Sequence, residues 1–328
     1  MRRAIEHARR GLGRTAPNPV VGACIVTDEG VVVGDGAHER AGEAHAEVHA
    51  LDEAGAAARH ATLYCTLEPC VHVGRTGPCT ERIIAAGIRR VVAAMEDPFP
   101  QVSGKGFAAL RAANIEVEVG VERDAAARLN QPFLTAQRHG RPFVIMKAAT
   151  SLDGRIAAAP GVRTRLTSAE ALRHAQAMRA QVDAIGVGSE TVIVDDPELT
   201  ARDVFRDRPL TRVIFDRRGR VPPGARVFAT QAAGPIIMVR TEMPEALRQL
   251  AGQGIQSLLL EGGAGLHASA WDAGVVDYVQ LYVAPVSLGE AGVPWLEHRR
   301  FHTMELFHRR VDVLGPDVLI EGYVHRPY

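Results

Sequence analysis

The chain has 328 residues, too many for one small domain and about right for two. Its 46% of hydrophobic residues is enough to fill two cores, which excludes a disordered chain. Lys+Arg and Asp+Glu both number 38, so a formal net charge of zero argues against a nucleic-acid backbone or an anionic membrane as the main partner. No apolar stretch approaches the length of a membrane span, and the start Met1-Arg2-Arg3-Ala4-Ile5-Glu6-His7 lacks the apolar centre of a secretory signal. A cytoplasmic protein is expected.

Short apolar runs alternate with amphipathic stretches, the pattern of α/β layering. Residues 20–26 and 31–34, joined through Thr27-Asp28-Glu29-Gly30, predict a hairpin, because Asp and Gly supply turn conformations. An Ala-rich helix is expected over 44–58, a strand over 61–66, a helix over 80–86 ended by Gly87, and a strand over 90–94. Helix, strand and helix follow at 107–113, 116–119 and 121–137. The polar segment His139-Gly140-Arg141-Pro142 predicts a boundary, giving domains of 1–140 and 141–328. Beyond it strands are expected at 143–149, 183–187, 211–215, 236–239, 257–260 and 278–284, with helices at 168–180 and 244–251. No internal repeat is visible.

The four cysteines, Cys24, Cys65, Cys70 and Cys79, all lie in the first quarter of the chain. Clustered Cys near His in a cytoplasmic context points to metal binding or catalysis before disulfides. Cys24 and Cys65 fall inside predicted strands and read as core. His45, Cys70 and Cys79 supply the three protein ligands a catalytic zinc uses, with a fourth position for water. Glu47 would then carry protons between that water and the substrate. His-x-Glu followed by Pro69-Cys70 is the signature of zinc nucleobase deaminases. Positions i and i+2 of a regular helix do not share a face, so His45 and Glu47 converge only in a first turn. A helix opening near Pro69 would place Cys70 where the helix dipole favours a thiolate.

Three segments then carry a resemblance: Ala16-Pro17-Asn18-Pro19-Val20-Val21-Gly22-Ala23, the stretch from His38 through His45-Ala46-Glu47-Val48-His49, and Thr66-Leu67-Glu68-Pro69-Cys70-x-His72-x-Gly74-Arg75-Thr76-Gly77-Pro78-Cys79. Together they resemble the deaminase half of the bifunctional riboflavin-biosynthesis deaminase/reductases, including that family's eight-residue spacing between the two cysteines. The resemblance implies a cytidine-deaminase-like domain, one zinc per chain and a diaminohydroxy-phosphoribosylamino-pyrimidine substrate. It further implies that Asn18, His38, His72 and Arg75 line the substrate pocket. Asn suits a pyrimidine edge, and His and Arg suit a sugar phosphate.

The second domain opens with Pro142-Phe143-Val144-Ile145-Met146-Lys147-Ala148-Ala149 and the turn Asp153-Gly154. Leu260-Glu261-Gly262-Gly263-Ala264-Gly265-Leu266 reads as a strand running into glycines and then a helix, an arrangement that lets backbone amides meet a phosphate. With the segment 182–202 between them, these resemble the reductase half of the same family, which implies a dihydrofolate-reductase-like fold and NADPH. By resemblance Ala149, Thr191, Asp195 and the stretch from Gly263 through Ala264 and Gly265 to Ser269 contact NADPH. Arg163, Arg179, Leu199, Arg202 and Glu261 contact the substrate. Where the family carries Trp beside the cofactor, this chain has Arg165.

The expected function is therefore hydrolytic deamination of the pyrimidine followed by NADPH-dependent reduction of its ribosyl group. The alternative is a zinc-dependent deaminase with a degenerate, inactive reductase half, suggested by Arg165. The expected partners are a small phosphorylated pyrimidine and further copies of the chain, with no nucleic acid and no membrane. A salt-dependent RNA-editing deaminase is disfavoured by the absence of a basic tract.

Overall fold

The computed structural model describes residues 1–71, 77–230, 233–296 and 298–327. It divides into two compact units, Met1–His139 and Gly140–Pro327. Among the described residues no helix is long and apolar enough to cross a membrane.

The first unit is built on a five-stranded sheet of β1 (Gly22–Val26), β2 (Val32–Ala37), β3 (Thr62–Cys65), β4 (Arg90–Ala93) and β5 (Glu116–Val119). Their order is β2-β1-β3-β4-β5, with β1 antiparallel to its two neighbours and β3, β4 and β5 mutually parallel. The helix Ala46–Ala54 lies directly on β2. Gly34 and Gly36 make this possible: an added Cβ would stand 2.1 Å from the Ala50 carbonyl oxygen and 1.9 Å from that of Ala46. Glycine here serves close approach of backbone to backbone.

Two local expectations change. The helix expected over 121–137 is two helices, Arg123–Leu129 and Gln131–His139, with Asn130 between them outside helical geometry. Asn130 instead acts like a strand partner: its Oδ1 accepts from Val20 N at 2.8 Å and its Nδ2 donates to Val20 O at 2.9 Å. An unanticipated helix, Arg2–Arg9, buries only Ala4, Ile5 and Ala8. That is too narrow a stripe among charged residues to stand out in the sequence.

The second unit contains β6 (Phe143–Thr150), β7 (Arg155–Ala157), β8 (Ala184–Gly188), β9 (Thr211–Phe215), β10 (Ile236–Val239), β11 (Ser257–Leu260), β12 (Tyr278–Val283), β13 (Val293–Pro294), β14 (Phe307–Leu314) and β15 (Asp317–Tyr323). Eight of them form one sheet in the order β10-β9-β8-β11-β6-β12-β15-β14, while β7 pairs with β13. The six strands from β10 to β12 are parallel. On β6, Val144, Met146 and Ala148 enter one apolar cluster while Phe143 and Ile145 enter another, so both sheet faces are covered. Full burial of Leu258, Leu259 and Leu260 follows, as expected for a central parallel strand. The hairpin β14–β15 went unanticipated because the apolar residues sharing one face of β14, Phe307, Val311 and Val313, are interrupted by Arg309 and stand exposed.

Candidate active sites

The carboxyl end of β3 delivers residues 66–70, and the helix Ala46–Ala54 begins beside them with His45 as its N-cap. Placing His45 at the cap and Glu47 in the first turn is what allows the two to converge. Cys79 is the first residue of the helix Cys79–Ala85, whereas Cys70 lies in irregular backbone after β3. No helix opens at Pro69, so the dipole argument for Cys70 is corrected. The Cys70 carbonyl accepts from Thr80 N and Oγ1, each at 3.2 Å, which ties the loop to the start of that helix.

His45 Nδ1 stands 3.2 Å from Cys79 Sγ and 3.5 Å from Cys70 Sγ, and all three donor atoms lie within 4.8 Å of one another. Donors around a tetrahedral zinc with ligand bonds of about 2.0–2.3 Å are separated by similar distances. One imidazole and two thiols are also the donor set zinc favours. A hydrogen bond from the Cys79 thiol, aided by His45, lowers the Cys70 pKa and holds it toward the thiolate, the form a metal requires. These residues fit the metal.

Glu47 is buried, and its Oε2 has no hydrogen-bond partner among the described residues. Burial pushes its carboxyl up to about 7. A carboxylate beside the metal ligands with one oxygen unsatisfied is poised for proton transfer rather than for holding the fold. Glu47, His45 and Cys70 face a cavity of about 460 Å³, which Asn18, His38, Asp97 and Phe99 also line. His38 donates from Nδ1 to the Ala44 carbonyl at 3.1 Å, so its Nε2 accepts from Asn18 Nδ2 at 3.0 Å. Burial lowers the His38 pKa, consistent with this neutral ring. His72 and Arg75 lie outside the described residues.

Sequence reasoning passed over two acids. Burial raises the Asp97 carboxyl to about 6, although it accepts from Phe99 N at 2.8 Å. Glu68 collects four backbone amides, those of Asp97, Gly104, Gly106 and Phe107, at 2.8–3.3 Å. It thereby fixes the loop after β4 against the pocket. Their signal was position: both follow the carboxyl ends of parallel strands, where open α/β sheets bind ligands.

The second unit has a cavity of about 680 Å³ along the carboxyl ends of its parallel strands. Ala149, Thr191, Asp195, Glu261, Gly263, Ala264 and Gly265 all line it. Thr191 Oγ1 accepts from Gly263 N at 3.0 Å, which fixes the glycine turn at the start of the helix Ala264–Asp272. A Cβ at Gly262 would stand 2.7 Å from Gly188 N, so this turn packs directly on the end of β8. At Gly265 a Cβ would meet nothing, which leaves open space over the first turn of the helix. Glycines and a helix start facing a cavity are the environment a dinucleotide's phosphates need, and the site fits NADPH.

The remaining expected residues fall elsewhere. Arg163 and Arg165 are exposed and outside the cavity lining, although the Arg163 charge reaches Asp195. The Leu199 side chain is buried in the core, and Arg202 is exposed with its backbone N–H on Gln176. Arg179 bonds to Glu261 and to the Thr200 carbonyl, which draws the segment carrying Leu199 and Arg202 toward Glu261. Lys147 was missed: it lines the cavity from β6, sits 5.4 Å from the centre of the Tyr282 ring, and burial lowers its pKa against the pull of Glu261. Only its strand position, one residue in a long apolar run, pointed to it.

Comparison with known proteins matches residues 1–95 to the cytidine and deoxycytidylate deaminase zinc-binding region and residues 142–320 to the RibD C-terminal domain. The riboflavin biosynthesis protein RibD of Bacillus amyloliquefaciens is 41% identical, with 97% of this chain and 94% of that protein covered. The Escherichia coli protein of the same name is 40% identical over 98% and 97% of the two chains. Among solved structures, Acinetobacter baumannii RibD superposes with a TM-score of 0.89 at 38% identity, covering 99% of this chain and 98% of that one. A deaminase/reductase from Thermotoga maritima gives 0.87 at 33% identity, covering 100% and 97%. With both halves matched in one chain and relatives aligned over nearly its whole length, the protein belongs to the RibD family of bifunctional riboflavin-biosynthesis deaminase/reductases.

Proposed function

We propose that the unit Met1–His139 hydrolytically deaminates a diaminohydroxy-phosphoribosylamino-pyrimidine and that Gly140–Pro327 reduces the ribosyl group of the product to ribityl. The observation that carries this reading is the coexistence in one chain of a His45–Cys70–Cys79 donor set beside Glu47 with its unsatisfied Oε2, and a glycine-lined cavity ending at Glu261 and Lys147. Zinc held by His45, Cys70 and Cys79 supplies the Lewis acidity that makes water nucleophilic near neutral pH. Glu47 takes the proton from that water and passes it to the departing amine, so that ammonia leaves as the carbonyl forms. Asn18, whose amide nitrogen is committed to His38, keeps its carbonyl oxygen to accept from an amino group of the ring.

In the second unit NADPH supplies the hydride. Ala149, Thr191, Asp195 and the turn at Gly263 hold the cofactor, while Glu261, oriented by Arg179, holds the sugar. Hydride delivered to C1′ of the ribosyl group breaks its bond to the ring oxygen, and Lys147, its pKa lowered by burial, is placed to give that oxygen the proton with which it becomes a hydroxyl. The degenerate-reductase reading loses its motive, because Arg165 stands outside the lining of this cavity. Incubating the purified protein with the diaminopyrimidine phosphate, with and without NADPH, tests the proposal. Ammonia and the deaminated ribosyl compound are expected without cofactor, and the ribityl compound only with it. Ammonia release with no NADPH oxidation would leave the degenerate reading standing.

A further inference from the structure

Protonating the ribosyl ring oxygen requires that Lys147 be charged when the hydride arrives, and its surroundings oppose that charge. It reaches into the cavity from β6, where burial lowers its pKa and the nearby Arg179 guanidinium adds to the effect. Glu261 pulls the other way, but both of its oxygens accept from Arg179 at 2.7 Å. His267, on the helix that follows the glycine turn, is a neutral ring. Burial lowers its pKa, and its two nitrogens contact Leu260 O at 3.2 Å and Trp295 Nε1 at 2.8 Å. Gln280, the β12 partner of Lys147, donates to Glu321 of β15 at 3.0 Å, and that carboxylate also pairs with Arg310 of β14 at 3.7 Å. Neither carboxylate is uncommitted.

The strand register supplies something else. Side chains alternate across a sheet, so Lys147 and Ala149 share one face of β6, and Tyr282 pairs with Ala149 from β12. Tyr282 is therefore a diagonal neighbour of Lys147 on that face, and the Lys147 Nζ stands over its ring, 5.4 Å from the centre. The ring is fully buried against Ala171 and Ala175 of the helix Ala169–Gln181 and Leu319 of β15. From the same helix His174 brings Nδ1 to 2.8 Å from the Tyr282 hydroxyl, with the two rings edge to face. Burial, with Glu261 and Glu321 nearby, raises the pKa of that hydroxyl, so Tyr282 is a neutral phenol. It offers Lys147 the face of a ring and not an anion. A cation over such a face is attracted by the ring's quadrupole, most strongly where water is excluded.

We propose that Tyr282, held in place by His174, is a positioning residue that keeps Lys147 charged, its ring face standing in for the counter-ion that the cavity withholds. The inference rests on the reading of Lys147 as proton donor given above. Because the donor must be protonated, reduction is lost as pH rises through the Lys147 pKa, and weakening the ring's hold moves that loss to lower pH. The experiment is the pH profile of NADPH-dependent reduction, with the deaminated intermediate supplied to the full chain. Tyr282→Phe keeps the ring face and should leave the basic limb in place. Tyr282→Leu removes the face and should move the limb down by about one pH unit, the size of a desolvated cation–π contact. Where Tyr282→Leu does not fold, phenylalanines bearing successively more ring fluorines at position 282 weaken the negative face at nearly constant size, and the limb should fall with each fluorine. Ammonia release by the first unit should keep its wild-type pH profile throughout. A limb that stays in place in folded Tyr282→Leu or across the fluorinated series overturns the assignment. So does a shift in Tyr282→Phe as large as that in Tyr282→Leu, which would belong to the hydroxyl. An unchanged profile in Lys147→Gln overturns the proton-donor reading and the inference with it. Loss of reduction in Lys147→Gln with an unmoved fluorinated series overturns the inference alone.

Discussion

Arg179 and Glu261 face each other through two hydrogen bonds of 2.7 Å, Nε to Oε1 and Nη2 to Oε2, with the Glu261 side chain 8% exposed and that of Arg179 14%. This bidentate geometry is the strong form of a buried ion pair. Burial alone would raise the Glu261 carboxyl, but Arg179, helped by the Lys147 charge, holds it down at about 2. A carboxyl lowered in the folded state stabilises fully above its ordinary value of 4.5 and loses that contribution as pH falls toward 2. The contribution is about 3 kcal/mol. Arg179→Met, which strands the buried carboxylate, should cost about 3–5 kcal/mol near pH 7, a loss that shrinks on acidification as the carboxyl, now pushed up by burial, takes up a proton. Trp271 and Trp295, the chain's two tryptophans, both lie in Gly140–Pro327, so their fluorescence reports this unit alone. An equal loss at pH 7 and pH 4, read from denaturant unfolding at the two pH values, would contradict the argument.

Metal loss gives a second expectation. Cys70→Ser, Cys79→Ser and His45→Ala should each remove most of the bound zinc, since a hydroxyl is a far poorer zinc ligand than a thiolate. A strong chelator should do the same to wild type and abolish ammonia release. Metal analysis of the purified variants decides the matter. Full zinc content in any of the three removes that residue from the ligand set.

Gly36 offers a third. Its missing Cβ is what lets the helix that presents His45 and Glu47 rest on β2, with the Ala46 carbonyl only 1.9 Å from where that atom would stand. Gly36→Ala must push the first turn of the helix outward, and with it both site residues. Overpacking of this kind typically costs about 1–3 kcal/mol. Deamination should fall by more than the loss of folded protein explains, measured as turnover against the circular-dichroism melting curve. Gly30→Ala, on the open β1–β2 turn where a Cβ meets nothing, is the comparison for strain without displacement. A Gly36→Ala enzyme with normal turnover would mean that the helix position is adjustable.

The contrast between these residues shows what a sequence makes legible. His45, Glu47, Cys70 and Cys79 announce themselves because few chemistries use those side chains in that order within 35 positions. The central parallel strand β11 was legible through the apolar run Leu258-Leu259-Leu260, since burial on both faces forces that composition. Glu68, Asp97 and Lys147 were not, because each is an ordinary residue whose meaning comes only from where a strand end delivers it. Arg165 misleads in the opposite direction: in the sequence it occupies a cofactor position, and in the fold it lies outside the cavity. The interruption at Asn130 likewise depends on Val20, 110 residues away, which no local pattern encodes.

A last expectation concerns the independence of the two chemistries. The metal donors and Glu47 lie wholly within Met1–His139, and the residues lining the glycine-turn cavity wholly within Gly140–Pro327. Glu47→Gln keeps size and polarity but cannot shuttle a proton. Zinc should stay while deamination falls by about 10²–10⁴-fold, the usual contribution of a general acid–base. Reduction of separately supplied deaminated intermediate should proceed at the wild-type rate. In the other direction, Asp195 lines the cavity beside Thr191 and is half-buried, with burial raising its carboxyl pKa and the Arg163 charge opposing this. Asp195→Ala should weaken NADPH-dependent reduction while zinc content and ammonia release persist. The measurement is a pair of assays on each variant, ammonia release and NADPH oxidation, with metal content and melting curve confirming that both units are folded. Loss of both activities in either folded variant would mean that the two sites do not work separately, and the division of labour drawn from their geometry would have to be abandoned.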